Sequence, residues 1–152
     1  MIVYEGDGDV FSTPAQTLCC TVNVEGAMGR GIALQFRKRY PKMYQQYRAL
    51  CKAGYFHVDQ LWSCAVEDNR RVLCFPTKQR WALPSRPEWI EANLQKLARD
   101  YERHQITSLA LPALGCGRGT GGLSLSDIRP LIRKYLDPLP IDVYCVYENY
   151  VP

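Results

Sequence analysis

No apolar run in this 152-residue sequence approaches the roughly 18–20 residues that a bilayer-spanning helix needs. The first nine residues, MIVYEGDGD, carry no basic stretch and set acids where a secretory signal would be apolar. A cytoplasmic protein is expected. The seven cysteines include no CxxC pair, and the two histidines, His57 and His104, stand far from any cysteine cluster, so no metal site is expected. An odd number of cysteines also suits a secreted disulfide framework poorly. Five of them (Cys19, Cys20, Cys64, Cys74 and Cys145) lie in apolar stretches, where a reduced cysteine behaves as a small hydrophobe. Repeats, low-complexity tracts and linker-like segments are missing, so one domain over residues 1–152 is expected. No glycine-rich stretch continues into Gly-Lys-Ser/Thr, which excludes a Walker A loop.

The residues that are present favour a packed α/β domain. Apolar residues make up 47% of the chain, enough for a sizeable core, while a net charge of +4 biases it only mildly toward anionic partners. Short runs rich in Val, Leu, Cys and Tyr predict strands near 1–5, 17–22, 60–66, 71–75, 107–112 and 142–147. Helical spacing fills the gaps. Gly31–Tyr40 carries Ile32, Phe36 and Tyr40 at i, i+4 and i+8, and Pro41–Cys51 continues as a second helix. Pro87–His104 sets Trp89, Ile90, Leu94, Leu97 and Tyr101 along one face, with Pro87 in the first turn, where its missing N–H costs nothing. Leu125–Leu136 is the last helix, and Pro138 follows as a stop. Alternating strands and helices imply a mostly parallel mixed sheet of about six strands between helices on both faces. Ligands of such sheets bind beyond the carboxyl ends of the strands.

Two unusual segments follow strands. After the second comes Thr21-Val-Asn-Val-Glu-Gly-Ala-Met-Gly-Arg-Gly-Ile-Ala-Leu-Gln-Phe36, with Gly26, Gly29 and Gly31 leading straight into a helix. After the fifth comes Leu111-Pro-Ala-Leu-Gly-Cys-Gly-Arg-Gly-Thr-Gly-Gly-Leu123, again running into a helix. Glycine lets a ligand approach the backbone closely and frees N–H groups to face it, and a helix N-terminus favours an anion. A glycine-rich turn that binds nothing is the alternative for either loop alone. Gly117-Arg-Gly-Thr-Gly-Gly122 also matches a Rossmann GxGxxG by pattern, although it falls in the last third of the chain. Two such loops together point to one phosphate-rich ligand held from two sides, and the residues by themselves reach no further.

The paired loops resemble the macrodomain family: an Asn after strand two, then Gly-x-Met-Gly-x-Gly-Ile-Ala, and later a Pro-x-Leu-Gly-x-Gly loop. The likeness runs from about Gly8 to Glu148. Val72-Leu-Cys-Phe-Pro-Thr-Lys78 is similar to the branch that holds DNA ADP-ribosyl glycohydrolase antitoxins (the DarG type) and terminal ADP-ribose protein glycohydrolases. The resemblance implies a macrodomain fold and an ADP-ribose site. Asp9, flanked by Gly8 and Val10, would accept from the adenine amino group. Gly29, Arg30, Gly31 and Ile32 in the first loop, and Gly115, Cys116, Gly117, Arg118, Gly119, Thr120, Gly121 and Gly122 in the second, would present backbone N–H groups to the diphosphate. Gly26, Met28, Pro112, Leu114 and Leu123 would complete the ADP-ribose site. Asn23 and Thr77 would face the distal ribose, and Tyr147 or Tyr150 would cover the adenine, with strand packing as the alternative for Tyr147.

Lys78 would be the catalytic residue, with Asn23 beside it, because the branch uses this lysine at the anomeric carbon of the distal ribose. It would serve as a nucleophile or as a fixed positive charge. The related protein glycohydrolases set an aspartate just beyond the second loop, where this chain has Ser124. Asp127 lies three residues on, but Ser124-x-x-Asp127 also reads as a helix cap. Gln79-Arg80-Trp81 and Arg86 follow Lys78, a pairing of basic residue and aromatic that suits a nucleic-acid strand, with a loop whose tryptophan packs back on the core as the alternative. The expected activity is hydrolytic removal of ADP-ribose from a modified macromolecule, above all ADP-ribosylated DNA (thymidine). A non-catalytic ADP-ribose reader and a hydrolase of ADP-ribose esters on protein are the alternatives. No cofactor is expected, and an ADP-ribosyltransferase toxin is the implied partner.

Overall fold

The computed structural model describes residues 1–80, 82–116 and 122–147. Six strands appear where apolar runs predict them: β1 (Ile2–Gly6), β2 (Thr17–Asn23), β3 (Trp62–Ala65), β4 (Arg71–Lys78), β5 (Ser108–Leu111) and β6 (Asp142–Val146). They form one sheet in the order β1-β6-β5-β2-β4-β3. All neighbours are parallel except β3, which runs antiparallel to β4 along one edge.

Four helices cover the sheet: α1 (Gly31–Arg39), α2 (Pro41–Lys52), α3 (Pro87–Asp100) and α4 (Leu125–Leu136). Strand alternation sorts the core into two layers. Leu18, Cys20, Val22, Val72 and Cys74 face Phe36, Met43 and Tyr47 of α1 and α2. Cys19, Leu73 and Phe75 face Ile90, Leu94 and Leu97 of α3 and Ile128 and Ile132 of α4. A strand flanked on both sides by other strands and buried on both faces reads as a continuous apolar run, as Leu18–Cys20 of β2 and Val72–Phe75 of β4 do. The adjacent cysteines Cys19 and Cys20 therefore serve opposite layers, both fully buried. All seven cysteines are free. No described helix is long and apolar enough to cross a membrane.

Three boundaries differ from the sequence reading. The third helix ends at Asp100 rather than His104: Gln105 takes a left-handed φ of 58°, and the Ile106 N–H returns to the Tyr101 carbonyl at 3.0 Å. A short 3-10 turn, Val10–Ser12, was hidden by its length, and Asp9 caps it by accepting from the Phe11 N–H at 2.9 Å. The fourth strand runs to Lys78, past Pro76, where the sequence suggests a stop near residue 75. Two features let it continue. The ladder with β2 slips between Val22 and Asn23, so Thr77 is the extra residue of a bulge. The pairing with β3 reaches only to Cys74, so beyond it β4 has a single neighbour.

Candidate functional site

Because five of the six strands are parallel, their carboxyl ends share one edge of the sheet. Asp9, the first glycine loop, Lys78 and the second glycine loop follow β1, β2, β4 and β5 there. Asn23 and Lys78 are direct cross-strand partners at the ends of β2 and β4.

The first loop is organised by Asn23. This side chain is 8% exposed, and its Oδ1 accepts from the N–H groups of Glu25, Gly26 and Ala27 at 3.0, 3.2 and 3.3 Å. Its Nδ2 donates to the Ala27 carbonyl at 3.0 Å. From behind, the buried Tyr47 hydroxyl donates to the Asn23 carbonyl oxygen at 2.7 Å and lies 3.0 Å from Oδ1. The amide expected to face a ribose is thus largely spent on its own loop, with one Nδ2 hydrogen beyond the bond to Ala27. Tyr47 is a site residue the sequence reading missed; at spacing i+4 from Met43 it reads only as core.

Beyond this anchor the loop opens. A Cβ added at Gly29 or Gly31 would meet nothing within 4 Å, and Gly31 takes a φ of 55°. The first turn of α1 has no acid, and Arg30 at its start makes no side-chain cap. An uncapped helix N-terminus behind an exposed glycine backbone is a seat for an anion.

In the second loop Gly115 is tightly held. Its φ is 73°, and a Cβ there would lie 2.7 Å from Ile90 Cδ1 and 2.8 Å from Leu123 Cδ1. The Leu123 N–H donates to the Gly115 carbonyl at 3.2 Å, closing the base of the loop. Gly117, Arg118, Gly119, Thr120 and Gly121 lie outside the described residues, as do Trp81 and Tyr150. Burial pushes the Cys116 thiol up to about 11, so it stays protonated at neutral pH.

Lys78 is half-buried, and that burial, with the Arg30 guanidinium nearby, holds its ammonium below the ordinary lysine value. Its support comes from Asn93, which the sequence analysis also missed. Fully buried on α3, Asn93 donates through Nδ2 to the Pro76 carbonyl at 3.1 Å and to the Val58 carbonyl at 2.9 Å. Pro76 leaves the β4 ladder short of a donor, and Asn93 ties down the strand at that point.

The other expected residues divide by burial. Tyr147 takes the strand-packing alternative: it is 0% exposed, continues the face of Val143 and Cys145, and donates its N–H to the Gly6 carbonyl at 2.9 Å. Val10, Met28, Thr77, Pro112 and Leu114 are buried. Gly8, Asp9, Gly29, Arg30, Gly31 and Gly122 are exposed, and Ile32, Cys116 and Leu123 are half-buried. Gly26 is buried, a Cβ there falling 3.4 Å from Cys51 Cβ. Asp127 forms a capping box with Ser124. Its Oδ2 accepts from the Ser124 N–H and Oγ–H, both at 2.9 Å, and those bonds hold the carboxyl below its ordinary value.

Residues 19–127 match the family model described as Macro domain. The chain belongs to the macro domain family. This macrodomain superposes on the macrodomain of Mycobacterium tuberculosis DarG with a TM-score of 0.89 at 34% identity, covering 99% of both chains. The DNA ADP-ribosyl glycohydrolase of the same organism is 36% identical over 143 residues, 92% of this chain and 40% of that protein. A Thermosipho africanus protein named as a DNA ADP-ribosyl transferase-DNA ADP-ribosyl glycohydrolase fusion is 33% identical over 166 residues, 96% of this chain and 42% of its own length. The solved structure of Thermosipho africanus DarTG in complex with ADP-ribose superposes with a TM-score of 0.86 at 34% identity, over 95% of this chain and 42% of that one. The macrodomain thus spans about two fifths of the length of these relatives.

Proposed function

We propose that this macrodomain binds ADP-ribose between its two glycine loops and removes it hydrolytically from ADP-ribosylated DNA, thymidine being the modified base, with Lys78 as the catalytic residue. One observation carries the reading: end-to-end superposition on a DarG macrodomain, with Lys78 beside Asn23 at the strand ends. In this reading the diphosphate lies over Gly29 and Gly31 at the start of α1, and Asp9 receives the adenine amino group on the oxygen left over from capping. Asn23 holds the first loop in shape and turns its remaining amide hydrogen to the distal ribose.

The lowered pKa of Lys78 enlarges the share of free amine, which favours attack over a purely electrostatic role. The amine adds to the anomeric carbon, the bond from that carbon to the base breaks, and the base leaves with a proton from solvent. Water then cleaves the lysine–ribose bond, giving free ADP-ribose and restoring the amine.

The test is incubation with oligonucleotide ADP-ribosylated on thymidine and, in parallel, protein ADP-ribosylated on glutamate. The reading expects multiple-turnover release of ADP-ribose from the DNA and none from the Lys78→Ala variant. Faster release from the glutamate ester would overturn the choice of DNA. A second reading, a reader that binds without turnover, draws on the commitment of the Asp127 carboxylate to the α4 cap. Binding of ADP-ribose with no release from either substrate would establish it. The fused Thermosipho relative supports an ADP-ribosyltransferase as the functional partner.

A further inference from the structure

The charge of this chain is segregated. Seven of its 19 cations and none of its 15 acids fall in residues 26–58, so that segment carries +7 while twelve cations face fifteen acids elsewhere, a balance of −3. The segment holds the first loop, the consecutive helices α1 and α2, and the residues up to Val58. Arg37, Lys38, Arg39, Lys42, Arg48 and Lys52 are all exposed, and none of them makes an ion pair among the described residues.

Helix stability does not explain this placement. Cations help at a helix C-terminus, which accounts for Arg37–Arg39 in the last turn of α1. At an N-terminus they are unfavourable, yet Arg30 begins α1 and Lys42 sits in the first turn of α2, with no acid in either first turn. The surface is also continuous with the ligand loop: a Cβ on Gly26 would lie 3.6 Å from Arg48 Cγ. Two guanidinium groups lie over rings, Arg37 Cζ at 4.5 Å from the Tyr44 centroid and Arg39 Cζ at 4.2 Å from that of Phe11. Tyr55, 71% exposed at the end of α2, offers a free aromatic face.

From these observations we infer that the surface of α1 and α2 is the track on which a single nucleic-acid strand lies when it presents its modified base to the site. Unpaired cations meet the phosphates, and Tyr55 with Arg37 and Arg39 meets bases. At 1.5 Å per residue the two helices offer about 14 and 18 Å, room for a few successive phosphates. The inference rests on the proposed function for its direction of approach, but its binding test does not.

Fluorescence anisotropy of a labelled, unmodified 20-mer single strand reads the surface directly, using the Lys38→Glu/Lys42→Glu/Lys52→Glu variant. These three lysines are exposed, carry no ion pair among the described residues and lie outside the ligand loops, and a melting curve checks that the variant is folded. The wild type is expected to bind with strong salt dependence. The variant is expected to lose at least tenfold in affinity, with the log–log salt slope reduced by about 2, near 0.7 per lysine. Release of ADP-ribose from a modified oligonucleotide should fall in parallel, while release from a modified mononucleoside stays within about twofold. Equal strand binding by the variant and the wild type would overturn the proposal. So would polyglutamate competing as well as the oligonucleotide at equal charge, which would mark the surface as a seat for acidic protein. Loss of strand binding in the variant, with no release from any modified substrate by wild type, sinks the glycohydrolase reading and leaves the track standing.

Discussion

Asn23 and Lys78 stand side by side across the β2–β4 ladder, one residue past the point where the register slips. The slip brings them level, because Thr77 is accommodated in a bulge. Asn23 is committed to shaping the first glycine loop, and Lys78 is left half-buried beside the cation Arg30. In the proposed function the pair joins the binding half of the site to its reactive half.

Replacing Lys78 by Ala should lower the rate of ADP-ribose release by at least about 10²-fold, the scale of a lost catalytic group, while ADP-ribose affinity by calorimetry stays within about tenfold. Lys78→Arg should not rescue, since arginine does not deprotonate in proteins. Rescue by arginine would point to a fixed charge instead of a nucleophile.

The pH dependence follows from the same shift. If the free amine reacts, turnover rises as pH climbs through the Lys78 pKa, and a lowered pKa brings that rise below the range of an ordinary lysine. Arg30→Gln removes one of the two causes of the lowering. Its rising limb in a kcat profile should therefore move to higher pH; movement to lower pH would contradict the assignment.

The glycines should separate by role. Gly115→Ala adds a Cβ at a positive φ against Ile90 and Leu123, and should cost about 1–3 kcal/mol in urea unfolding. Gly29→Ala has open space and should leave the unfolding midpoint nearly unchanged while weakening ADP-ribose binding. A stability loss at Gly29 with affinity intact would reassign it to the fold.

Tyr47→Phe removes the hydroxyl that holds Asn23 from behind. The expected cost is about 1–2 kcal/mol in unfolding free energy, since a buried acceptor loses a donor. ADP-ribose affinity should fall with it as the loop loosens. A neutral variant would show that the three backbone bonds to Oδ1 suffice.

Asp127→Ala tests the capping role of that carboxylate. Turnover should stay within a few-fold, rather than falling by the roughly 10²–10⁴ expected of a general acid or base. A collapse of turnover with α4 still folded would make Asp127 the partner of Lys78.

The sequence by itself determined the layers and the edge. Apolar runs of strand length alternating with helical spacing leave a mostly parallel sheet as the arrangement that buries them, and the same alternation puts the loops after the parallel strands on one side. Two glycine segments there were enough to imply a phosphate-bearing ligand, and their motifs to suggest the family. Side-chain commitments belong to the tertiary structure, because hydrogen bonds between Asn23 and Tyr47, or Asn93 and Pro76, join segments with no mutual signature in the chain. Whether Tyr147 pointed inward or outward depended on the phase of β6 against α4, which no run of residues reveals alone. The extension of β4 past Pro76 likewise depended on where β3 stops and β2 slips. Composition supplied the sum of the charge, but the placement of α1 and α2 beside the first loop left the cations of that segment exposed.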